Sequence, residues 1–181
     1  MKTHLIFLLL TGLLFTSCDT QNDELESEFL TMELKEVQFE VDRIQPTSVI
    51  RVGSDVRALF DIGPLLSTAN FNKSDIVRAQ VTDARLNLVF PTELNFTIIE
   101  DVELVLASAT SSSEVASMVV FTEADRSNVE MLLSKSDITS VLQSPDFQAI
   151  LEFHGTRDLE ERVSMEAFIT IELEVQPGRS N

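Results

Sequence analysis

Cys18 is the only cysteine of this chain, and His154 is the only histidine after residue 17. His154 falls on the outward parity of a strand, out of phase with Leu151 and Phe153, and is followed by Gly155. A catalytic base needs a nucleophile and an orienting acid close in space, and no residue pattern supplies them, so His154 reads as an exposed strand-end histidine. No G-x-S-x-G elbow, H-E-x-x-H helix, P-loop or dinucleotide-binding glycine pattern occurs, and only five glycines are present. Carboxylates are abundant, in the local clusters Glu100-Asp101-Glu103, Glu123-Asp125 and Asp158-Glu160-Glu161. A glycosidase needs two acids facing each other about 5 to 9.5 Å apart across a cleft, which closeness in sequence does not provide. Such clefts are commonly floored by Trp or Tyr, and both are missing. The clusters therefore read as solvated loops, with a carboxylate-based hydrolase as the enzymatic alternative to a protein that is not an enzyme. Calcium is the ion these oxygens would suit best. Glu123, Asp125 and Asn128 form the first candidate set, and Asp158 and Glu160 the second. Neither has calcium-loop spacing, so no metal site and no cofactor is expected.

The chemistry of Cys18 depends on what precedes it. Lys2 gives a positive start, Leu5 to Leu14 is an apolar run broken only by Thr11 and Gly12, and Phe15-Thr16-Ser17 leads into the cysteine. This order is that of a secretory signal peptide over residues 1–17, and the run is too short to span a bilayer, which takes about 20 apolar residues. With a small residue before the cysteine and a polar stretch after it, the segment resembles a bacterial lipoprotein signal. Phe15 stands where the common pattern prefers Leu, so the match is to a relaxed form of it. The resemblance implies cleavage between Ser17 and Cys18, a lipid on Cys18, and acylation of the new amine, palmitate being the expected acyl group. Two or more acyl chains hold a protein stably on a bilayer.

Loss of residues 1–17 leaves 164 of the 181 residues and removes one lysine and no acid, taking the formal charge from −17 to −18. One domain with a sizeable core fits that length. Nucleic acid is disfavoured as a partner because its binding rests on Lys and Arg displacing counterions, and anionic headgroups are disfavoured for the same reason. A lipidated Cys18 leaves no thiol, which excludes disulfides, sulfur-ligated zinc and a cysteine nucleophile.

The elements that must position any site begin after residues 18–33, which read as the lipidated cysteine and an acidic tether. Asp19, Asp23, Glu24, Glu26, Glu28 and Glu33 stand there without Lys or Arg, and self-repulsion extends such a segment. Gln21-Asn22-Asp23-Glu24 resembles the acidic surface-export signals of Bacteroidota lipoproteins, whereas Asp19 next to the cysteine matches inner-membrane retention in enteric bacteria. The outer membrane is the expected address, with a surface-exposed and a periplasm-facing location both open. A β-domain is expected over 34–177, with a tail at 178–181. Within it Val37, Phe39 and Val41 alternate with polar residues, and Thr47 to Val52 reads as a short strand. Val56 to Ile62 fits a strand or a helical turn, and Gly63-Pro64 breaks either, with a loop or single turn to Lys73. Val77, Ala79 and Val81 lie on one parity and Leu86, Leu88 and Phe90 on the other, so a continuous strand needs a bulge at Thr82-Asp83-Ala84. Val102, Leu104 and Leu106 form a further strand, followed by a polar loop over Ser108 to Ser113. Val115 to Phe121 and Val129 to Leu133 are short strands. One helix is expected, capped by Ser136, with Ile138, Val141 and Leu142 on its inner face and Ser144-Pro145 at its end. A closing hairpin pairs the Ala149, Leu151, Phe153 strand with a long strand in which Val163, Met165, Ala167, Ile169, Ile171, Leu173 and Val175 alternate with polar residues and Phe168. Phe168, the one phenylalanine that periodicity turns outward, is expected to pack under the helix.

This pattern predicts a single all-β antiparallel sandwich with one short helix, its topology open among Greek-key, immunoglobulin-like and jelly-roll arrangements. The lipid signal, acidic tether and strand-rich body together resemble the small β-rich lipoproteins common in Bacteroidota. That resemblance implies an address and a fold class, and no catalytic residue. The function expected is a non-enzymatic binding or structural module of the cell envelope, working with a protein partner. A lipoprotein that binds a glycan or a small apolar ligand is the alternative.

Overall fold

The structure, a computed structural model, describes residues 26–46, 48–54, 56, 62–119 and 127–178. Cys18, Ser17, Glu123 and Asp125 lie outside the described residues, as does most of the ambiguous segment from Val56 to Ile62. Among the described residues, nine strands form two antiparallel sheets. One carries β1 (Glu28–Val41), β9 (Val163–Val175), β3 (Ile76–Phe90) and β6 (Asn128–Glu130), in that order. The other runs β2 (Val49–Ser54), β8 (Phe147–Gly155), β4 (Ile99–Ser108), β5 (Ser112–Val119) and β7 (Leu132–Leu133). The pairs β1–β9, β2–β8, β3–β6 and β4–β5, shared between two facing sheets, are the strand order of a jelly roll. That order resolves the alternatives that periodicity leaves open.

The alternation seen in the sequence does what the pleat requires: one parity of each strand faces the other sheet. Every odd residue of β9 from Val163 to Val175 is buried, and the even ones are at least partly open. Phe39, Phe96, Phe153, Leu34, Ile44 and Leu104 fill the space between the sheets, each large apolar side chain contributing about 1.5–3 kcal/mol when fully buried.

Several expectations are corrected. β1 begins at Glu28, so 28–33 is strand, not tether. Glu28 already pairs with Val175, and the partly buried Leu30 and Met32 continue the period of two that the acids obscure. The closing hairpin does not form: β8 pairs with β2 and β4, and β9 with β1 and β3, so the chain between them crosses from sheet to sheet. Two strands with the right spacing look the same whether they pair or arch across a core. Ile44 and Leu159 bridge each other at that crossing, and Gly155 lies so close to Ile44 that a Cβ there would collide with its Cγ2. Val129 to Leu133 is likewise split, with β6 in one sheet, β7 in the other and buried Met131 between them.

There are two short helices among the described residues where one was expected. α1 (Ile62–Thr68) contains Gly63 and Pro64, which do not break it because proline is tolerated in a first helical turn, where no intrahelical N–H bond is lost. Its Ile62 and Leu66 are buried. α2 (Thr139–Gln143) buries Val141 and Leu142 as expected, but its start is held by Asp137, which accepts the Thr139 amide at 2.9 Å, while Ser136 bonds to Ser134. Neither helix is long and apolar enough to cross a membrane. The bulge expected in β3 is present: its register against β9 shifts between Val81 and Asp83.

Candidate functional site

The outer face of the five-stranded sheet carries His154. The ladder between β4 and β8 slips between Ile99 and Asp101, and a bulge of this kind re-aims side chains. Here it sets the Asp101 carboxylate against the imidazole, with Nδ1 and Oδ1 2.7 Å apart, and the same oxygen accepts the His154 amide at 3.2 Å. Both side chains are well over a third exposed, at 41% and 38%. The hydrogen bond to Asp101 raises the His154 pKa above its ordinary value, the charges of Asp101, Glu100 and Glu103 add to the effect, and desolvation opposes it. The orienting acid that a catalytic histidine needs is therefore in place, and no sequence pattern announced it, because the two residues are 53 positions apart. The pair links two neighbouring strands, β4 and β8, as a hydrogen-bonded clip. Beside it, Arg51 reaches Glu152 at 3.2 Å, and Glu152 stands opposite Glu103 in the ladder.

The remaining acidic clusters separate. Asp158 and Glu160 flank Arg43 at 3.9 and 3.6 Å, so a guanidinium occupies the place a cation would take. Asn128 sits at the edge of β6, hydrogen-bonded to Asn87. No group of three or more His, Cys, Asp or Glu side chains among the described residues is arranged to hold a metal.

The outer face of the four-stranded sheet is more varied. Phe168 is half-buried there, level with Arg85; α2 packs instead on β3 and β4, so Phe168 does not lie under the helix. Phe29 and Phe90 share that open face and are 62% and 51% exposed. Sequence reasoning missed both: Phe29 lay in the presumed tether, and the register shift between Leu88 and Phe90 turns Phe90 out of the core parity. At the Phe29 end two cross-strand rows meet, Phe29–Glu174–Arg78 and Thr31–Glu172–Gln80. Phe29, Arg78, Gln80, Glu172 and Glu174 line a shallow depression of about 30 Å³, room for an ordered water.

No known family matches the chain. No curated protein matches it either. Among solved structures, a chain of Desmodium yellow mottle tymovirus is similar at 10% identity, covering 99% of this chain and 98% of that one, with a TM-score of 0.28. A likeness that slight carries no argument about function.

Proposed function

We propose that this chain is a lipid-anchored, non-enzymatic binding module of the bacterial cell envelope, held in the outer membrane by acyl chains on Cys18. The observation that carries the reading is the place of Cys18, directly after the apolar run and Ser17 and ten positions ahead of the first strand at Glu28. Ten residues reach at most about 35 Å and about 18 Å as a flexible coil, so the anchor ties the Glu28 end of the sandwich near the bilayer. An exposed sheet face with aromatic, cationic and acidic side chains supports binding as the activity. The alternative ligand classes are a glycan and a small apolar molecule. Side chains fill the space between the sheets, which favours an outer face as the place for either.

The test is fractionation of cells fed an alkyne analogue of palmitate, with a Cys18→Ser variant beside the wild type. Label and membrane association are expected in the wild type, and both are expected to be lost in the variant. A Cys18→Ser protein that stays equally membrane-bound would overturn the reading. Protease added to intact cells then separates a surface location from a periplasmic one.

A further inference from the structure

We infer that Asn95 is a glycosylation site, its side-chain amide accepting a saccharide from a polyprenyl diphosphate carrier after export. The inference rests on the reading of residues 1–17 as an export signal and adds a covalent modification to the exported module. Asparagine takes a glycan within the pattern N-x-[ST], where x is not proline, in surface loops of secreted proteins. The sequence holds this pattern twice, at Asn72-Lys73-Ser74 and at Asn95-Phe96-Thr97. The structure separates the two. Residues Pro91 to Ile98 join β3 to β4, and Phe90 pairs with Ser164 whereas Glu28 pairs with Val175, so this loop lies at the opposite end of β9 from Glu28. Phe96 is 2% exposed and fixes the loop to the core, while Asn95 is partly open and Thr97 exposed. Thr97 donates its backbone N–H, at 3.1 Å, and its hydroxyl to Asn95 Oδ1. A backbone N–H can only donate, so the oxygen end of the Asn95 amide is the one that is held. Its Nδ2 has no hydrogen-bond partner among the described residues.

At Asn72 the nitrogen is engaged instead. Its Nδ2 donates to Asp75 Oδ2 at 3.5 Å, and its backbone N–H donates to the same oxygen at 2.8 Å. Asp75 is itself 7% exposed, so that contact ties Asn72 to the body of the domain. Charge separates the two sites as well. Glu93, two positions ahead of Asn95, is exposed and offers a carboxylate that a cationic acceptor groove would hold. The residue in that place ahead of Asn72 is the uncharged Asn70. In the transfer, Asn95 Nδ2 bonds to the anomeric carbon of the saccharide, and the bond from that carbon to the diphosphate oxygen breaks. The polyprenyl diphosphate leaves as an anion, and the proton lost by the amide passes through a base of the transferase to water. Nothing is oxidised or reduced.

The experiment is mass spectrometry of the full-length protein extracted from its native cells, and from a second host that carries an asparagine-directed transferase with its polyprenyl-linked glycan. A mass increment of whole sugar residues is expected on the peptide that holds Asn95, in at least one of the two. Asn95→Gln and Thr97→Ala are each expected to abolish it, and Glu93→Gln to lower its occupancy. Thr97→Ser keeps the hydroxyl and is expected to retain the glycan, which separates loss of the acceptor from misfolding of the loop. Asn72→Gln is expected to leave the increment unchanged. An Asn95 peptide unmodified in both hosts, a glycan on Asn72 in place of Asn95, or an increment that survives Asn95→Gln would each overturn the proposal. Fractionation with Cys18→Ser reads the lipid separately. A glycan on a protein that lacks the lipid removes the anchor alone, and a lipidated protein with bare Asn95 removes this site alone.

Discussion

At the scale of single residues, the clip between Asp101 and His154 is an electrostatic contact beside a bulge. The slip at Glu100 lies at the end of the regular β4–β8 ladder, where Asp101 is the cross-strand partner of His154 and approaches it to 2.7 Å. The shared proton makes the contact sensitive to pH. A histidine whose native pKa lies above its unfolded value, near 6.5, contributes stability that is full below that value and is lost as pH rises through the native one. His154 is therefore expected to titrate above the ordinary histidine range, and Asp101→Asn to bring it back toward that range. An NMR titration of the imidazole checks this; a wild-type pKa at or below the ordinary value would remove the clip. The outward parity of His154 was legible from its neighbours. Its acid was not, because pairing across a sheet depends on which strands meet and in what register.

At the scale of elements, periodicity carried most of the local information and its exceptions carried the rest. The bulge of β3 was legible because the apolar parity changes at Thr82-Asp83-Ala84. The second shift, at Leu88/Phe90, was not, because a large apolar residue at a strand end looks the same facing either way. The start of α2 makes a similar point. The sequence points to Ser136 as the cap with Asp137 in the first turn, but the N-cap position is Ile138, which makes no side-chain capping bond. The strand-like bridge between Asp137 and Gln80 of β3 sets the Asp137 backbone, leaving its carboxylate to receive the Thr139 amide and hydroxyl from just ahead of the helix. Burial pushes that carboxyl up, and the donors from Thr139 and the Ala79 amide, with the charge of Arg78, outweigh it, so its net pKa lies below the ordinary value. Stability from such a group is present above the unfolded pKa, near 3.9, and is lost as pH falls through the lower native value. Asp137→Ala is expected to cost about 1 kcal/mol at pH 7, measured by urea denaturation, with the deficit shrinking at acid pH. A deficit that is the same at pH 7 and pH 3 would assign the cost to packing instead of to the cap.

At the scale of the whole molecule, the fold class was legible and the connectivity was not. Strands of the right number and phase define a sandwich, but each jelly-roll pair joins segments whose separation grows outward from β4–β5 to β1–β9. Periodicity is a property of one strand and is silent about that nesting. The nesting also has a consequence for folding. Among the described residues β1 is held only by β9 within its sheet, and β9 lies between β1 and β3, so β9 completes the sheet that β1 begins. A chain ending before Val163 leaves β1, among the described residues, without a ladder partner and leaves β3 with the three residues of β6 and the isolated bridge to Asp137. It also removes from the core every inward side chain between Val163 and Val175. Such a truncation is expected to lack a cooperative unfolding transition and dispersed amide resonances altogether, not to lose a fraction of its stability. A truncated chain that still unfolds cooperatively in urea would mean that the five-stranded sheet and the helices form an independent unit. If no such unit exists, the intact chain must delay folding until its C-terminal strand is available, and pairings this distant in sequence place its folding in the millisecond-to-second range of β-sandwiches.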